Sequence, residues 1–207
     1  MTAGTAPATP TPTDRSDFRH ILASGTKIGV AVGAAVVLYL LVSRVVLPGA
    51  ARALAQTVIV LAAAVAAAFL PAQWSTARST QGIASAAAIG LWGTIVFMAI
   101  DIVVLRPIKA YPWTWDAVGG GSTWWYLPIW WMLGTFVAWM GGIVTAARAA
   151  RGGPASVGAL AFPVLTSTAA LMLGLFFGFA IYLPVAAGAA FTVTLTVLAL
   201  LAIARKG

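Results

Sequence analysis

Long apolar runs, separated by short polar, proline or glycine stretches, dominate the chain. Each is close to the roughly 20 residues that an α-helix needs to cross a bilayer core. The first runs from Ile28 to Leu47 and stops at Pro48-Gly49, where proline withholds a helix donor and glycine permits a turn. The second, Ala53 to Leu70, follows after so short a link that the two must form an antiparallel hairpin, and Pro71 marks its end. Beyond the polar stretch AQWSTARSTQ, the third runs from Ile83 to Val104 and is closed by Pro107. The fourth, Leu127 to Ala147, carries Pro128 in its first turn, where a missing N–H costs nothing. It ends before Arg148, Arg151 and the Gly152-Gly153-Pro154 break. The last block, Val157 to Ala204, is too long for one crossing and divides at Tyr182-Leu183-Pro184 into spans 158–181 and 185–203. The pattern therefore predicts an all-α, polytopic membrane bundle of six transmembrane helices, one domain over 28–204 with a short tail at 205–207.

Ahead of the first span, residues 1–14 are mostly Thr, Pro, Ala and Gly, with too little apolar bulk to offset the entropy of ordering, and a disordered arm is expected. The segment from Arg15 to Lys27 mixes charge with Phe18, Ile21 and Leu22 and reads as a short helix in the headgroup layer. No secretory signal is expected, because the first apolar run starts late, is too long and lacks a small-residue cleavage pattern.

Composition agrees: 61% of residues are apolar and 8% charged, against roughly a quarter charged in soluble domains. A net charge of +8 would suggest nucleic acid in a soluble protein, but here the basic residues sit at span ends, where they set topology. No nucleic-acid partner is expected. One side collects Arg15, Arg19, Lys27, Arg78, Arg148, Arg151, Arg205 and Lys206, the other Arg44, Arg52, Arg106 and Lys109. That excess predicts a cell (plasma or inner) membrane protein with both termini cytoplasmic and the loop 105–126 outside. Helices in lipid associate through close packing of small residues four apart. Gly29-Gly33, Ala86-Gly90-Thr94, Gly134-Ala138-Gly142 and Gly174-Gly178 supply such ridges on spans one, three, four and five, and together predict a tight bundle without a wide aqueous pore.

Candidate chemistry is sparse. With no cysteine, no glutamate and one histidine, His20, ahead of the first span, the chain offers no metal-ligand spacing, no carboxylate pair on one helix and no nucleophile relay. Neither a catalytic residue nor a metal or other cofactor is expected. Arg44 and Asp101 are the ionisable residues within the predicted spans, each about one turn from the outer end. Because a charge in hydrocarbon costs several kcal/mol unless paired or brought to the interface, they are expected to meet across spans one and three. Arg106 and Lys109 are the alternative partners of Asp101, and independent snorkelling to water is the simplest arrangement of all.

Seven of the nine tryptophans fall between residues 101 and 142. Trp113, Trp115, Trp124, Trp125 and Tyr126 lie at a predicted membrane–water boundary, where aromatic belts form. Trp130, Trp131 and Trp139 lie deeper on span four, and Trp92 lies in span three. Trp124, Trp131 and Ala138 share a face beside Gly134, which suits either a packed helix or a flat apolar ligand. The loop holding Asp116 and Gly119-Gly120-Gly121 is too aromatic for a solvated linker, and is expected to fold back as a lid or to dock on a partner. Its glycines lack the Lys-Ser/Thr of a nucleotide loop. The residues favour a non-enzymatic accessory or scaffold subunit that contacts membrane lipids and joins other membrane subunits or itself. The alternative is a small carrier for a lipidic or aromatic ligand, lined by Trp92, Trp131 and Trp139 and anchored by Asp101 and Arg44.

Overall fold

The computed structural model describes residues 17–108, 110 and 126–205, excepting the side chains of 126–130. Among the described residues six helices are long and apolar enough to span a membrane. They are α1 (Phe18–Val45), α2 (Ala50–Trp74), α3 (Thr80–Ile100, continued by a π-turn at Asp101–Leu105), α4 (Tyr126–Ala150), α5 (Val157–Phe179) and α6 (Leu183–Ala204). The protein is a multi-pass, all-helical membrane bundle.

The helix ends depart from the sequence reading in two informative places. α1 starts about ten residues before Ile28, because Asp17 accepts a hydrogen bond from the His20 N–H at 3.0 Å and caps the helix there. The segment expected to form a separate interfacial helix is thus the first turns of α1, with Ser24 and Gly25 already buried. At ~1.5 Å per residue, 28 residues give ~42 Å, more than the ~30 Å hydrocarbon core, so part of α1 must stand outside it. α2 runs past Pro71 to Trp74, since a proline near the end forfeits a single backbone bond. The division of the last block holds: Ala180 takes a left-handed conformation that ends α5, and Pro184 sits in the first turn of α6, where its missing N–H is harmless.

α2 is the hub, packing against all five other helices, which follow one another around it in the order α1, α3, α4, α6, α5. The main core lies where α2, α4, α5 and α6 meet, around Phe69, Val137, Met140, Leu160, Val164, Phe191 and Leu195. Small residues set how closely the helices approach. A methyl group on Gly29 would lie 2.5 Å from the Gly93 carbonyl oxygen, and one on Gly90 2.5 Å from the Ala138 Cβ. Ala86-Gly90-Thr94 runs antiparallel to Gly142-Ala138-Gly134, as the shared spacing of four requires, and Gly141 abuts the Ala68 carbonyl of α2. Three of the four ridges read from the sequence are therefore helix joints. The fourth is bare, with nothing within 4 Å of where a Cβ would sit on Gly174 or Gly178.

Candidate functional site

One set of polar contacts lies at the end where α1 and α3 finish and α2 and α6 begin. Just before Pro107, which has no N–H to give, the α3 ladder changes to five-residue bonds: Arg106 N–H to Asp101 O at 2.9 Å and Ala110 N–H to Leu105 O at 3.0 Å. At α-helical winding, residues five apart diverge by ~140° around the axis. The wider π-turn brings them onto one face, and Arg106 Nε meets Asp101 Oδ2 at 3.4 Å. Asp101 is 0% exposed and Arg106 27%. A buried carboxylate at the C-terminal end of a helix is disfavoured by both desolvation and the macrodipole, and the guanidinium offsets both.

This corrects the expected Arg44–Asp101 pair. The π-turn supplies Asp101 with a partner from its own segment, while Arg44 Nη2 donates to the Ala110 carbonyl at 2.9 Å. Arg44 thereby ties the end of α1 to the residue from which the aromatic loop departs. Lys109, Trp113, Trp115, Asp116, Trp124 and Trp125, and with them the expected lid, lie outside the described residues, as do the side chains of Tyr126 and Trp130.

A second polar group at this end escaped the sequence reading. Gln56, 2% exposed on α2, donates to Ser43 Oγ of α1 at 2.6 Å and accepts from the Tyr182 hydroxyl at the start of α6. Three helices are thus cross-linked through one amide whose donor and acceptor are both used. The signal was present: an amide inside the predicted span 53–70 must find partners in lipid.

The remaining tryptophans separate. Trp131 and Trp139, 40% and 47% exposed, line an open apolar groove of about 730 Å³ on α4, with Met132 and Phe136 between them, Leu91 of α3 on one bank and Thr192 of α6 on the other. Trp92 does not reach it. Its indole packs on Gly25 and donates to Thr26 Oγ1 at 3.1 Å, bracing α1 against α3. Gly134 and Ala138 also face away from the groove, toward Thr94 and Gly90, so helix packing occupies the face offered to a flat ligand. The expected site of three tryptophans with Asp101 and Arg44 is therefore not assembled. His20, in the first turn of α1, shares a hydrogen bond of 2.8 Å with the Trp74 carbonyl, linking the opposite ends of α1 and α2. Among the described residues no cluster of His, Asp or Glu could hold a metal ion.

Compared with family models, curated proteins and solved structures, the chain matches none.

Proposed function

We propose that the chain is a non-enzymatic subunit of a larger membrane assembly and that the outer half of α5 receives a transmembrane helix of another subunit. One observation carries this reading: no residue from Ala169 to Ala180 is buried, and both glycines of the α5 ridge face open space, whereas the other ridges are filled by neighbouring helices. Phe177 and Phe179 stand 79% and 75% exposed beside them. Glycine weakens a helix by ~1 kcal/mol relative to alanine, so two on a lipid-facing stretch are a cost that close contact with a partner helix would offset. The end rich in Lys and Arg faces the cytoplasm in this reading, with both termini, and the charged π-turn lies at the outer surface.

A second reading is favoured by the groove on α4, where Trp131 and Trp139 offer an apolar bed for a lipidic or aromatic molecule. Purification of the tagged chain from its native membrane in mild detergent separates the two. The expected result is a stoichiometric membrane protein that co-purifies with the wild type and is lost from the Gly174→Leu/Gly178→Leu double variant. If both forms retain the same partner, α5 is not the contact. A lone chain carrying a small molecule that Trp131→Ala releases would replace the subunit reading with the carrier one, and a homodimer would make the partner a second copy.

A further inference from the structure

At the end of the bundle opposite the π-turn, a cavity of about 310 Å³ opens between the α2–α3 turn and the α4–α5 turn, lined by Arg78, Ala149, Ala150, Gly152, Gly153 and Ala155. Alanine and glycine form most of its wall, which leaves the room that larger side chains would fill, and Arg78 is the charged side chain on its lining. The α4–α5 turn is held in shape from both sides. The N–H groups of Arg151 and Gly153 bond to Arg148 O, each at 3.1 Å, and that of Gly152 bonds to Ala149 O at 3.0 Å. Arg148 Nε donates to Pro154 O at 3.0 Å, and the Gln73 amide of α2 donates to Ala155 O. The Arg148 and Ala149 carbonyls at the end of α4 are thereby satisfied within the turn.

Among the described residues no carboxylate forms an ion pair with Arg78, Arg148 or Arg151. Arg78 lies on the α2–α3 turn, Arg148 in the last turn of α4 and Arg151 on the α4–α5 turn, whereas of the two described carboxylates Asp17 caps α1 at this same end and Asp101 lies at the far end of α3. Since α4 ends at Ala150 and α3 starts at Thr80, the cavity sits at the level where the spans leave the hydrocarbon, the depth of phospholipid phosphates. Basic pockets between transmembrane helices at that depth take anionic headgroups. We propose that this cavity binds the phosphate of an anionic phospholipid, with Arg78 as the counter-ion and Arg148 and Arg151 supplying the surrounding positive field.

The test uses the full chain in nanodiscs of equal phosphatidylglycerol and phosphatidylcholine, with the retained lipid measured by native mass spectrometry. Arg78→Gln is expected to lower the retained glycerol-to-choline lipid ratio about fivefold, the loss of one ~1 kcal/mol contact. Ala150→Leu, which narrows the cavity without altering charge, is expected to lower it as well. Arg19→Gln, at the same end of the bundle but outside the cavity, is expected to leave it unchanged. All three positions are exposed, which keeps the variants foldable. An equal drop with Arg19→Gln would reduce the effect to general surface charge, and an unchanged ratio with Ala150→Leu would remove the cavity from it. Displacement of the lipid by inorganic phosphate would mean that the site takes a soluble anion, and would overturn the lipid assignment.

Discussion

Asp101 is the residue around which the end of the bundle where α1 and α3 finish is balanced. Its carboxylate is fully buried beside Arg106, and removing one partner of a buried pair costs more than removing both, so Arg106→Gln alone is expected to destabilise more than the double variant. Thermal unfolding of Asp101→Asn, Arg106→Gln and the double variant is expected to give a coupling energy of about 1 kcal/mol. The corresponding cycle with Arg44→Leu is expected to be additive to within ~0.5 kcal/mol, because Arg44 is committed to a backbone carbonyl. The reverse ranking would restore the cross-helix pair read from the sequence. That pair was a fair inference from depth, since Arg44 and Asp101 do lie toward the same end of the bundle. Depth along a helix says nothing about azimuth, however, and the π-turn changed the azimuth of Arg106.

At the scale of the helix, the spacing of small residues was legible in advance and its use was not. Gly90 and Gly174 look alike in sequence, each opening a four-residue step on an apolar span. One carries an interhelical joint and the other faces open space. Gly90→Leu must therefore push α3 and α4 apart and is expected to lower the midpoint of thermal unfolding by several degrees, or to prevent folding. Gly174→Leu is expected to leave the midpoint of the isolated chain unchanged or slightly raised, because a better helix former replaces glycine without meeting a neighbour. A comparable loss from both variants, measured in the same detergent, would mean that α5 packs elsewhere within the chain. The early start of α1 was readable in the same way: Asp17, three residues before His20, is a capping signal that the charged surroundings obscured.

For the whole molecule, the distribution of basic residues predicts an orientation that labelling can read directly. The chain has no cysteine, so single substitutions report without a background. With a membrane-impermeant maleimide applied to intact cells, Leu47→Cys on the α1–α2 turn is expected to react. Ser79→Cys and Arg205→Cys at the other end are expected to react only after the cells are opened. Reaction of Ser79→Cys in intact cells would invert the molecule, moving the basic cavity outside and the π-turn inside. The bundle and the helix joints would survive that inversion, since neither depends on which compartment each end faces.

The linear chain determined its solvent, its number of crossings, the division of the last apolar block and the small-residue ridges available for helix packing. Each follows from local quantities, namely apolar run length, proline and glycine placement, and residue spacing along one helix. Only the tertiary structure decided which ridge met which. It also directed Trp92 and Gly134 to helix joints while Trp131 and Trp139 line an open groove, paired Asp101 with Arg106, and joined Gln56 to Ser43 and Tyr182. Those outcomes depend on rotation about helix axes and on which helices become neighbours. Lipid makes every apolar face equally acceptable, so the hydrophobic pattern of these spans carries almost no information about rotation.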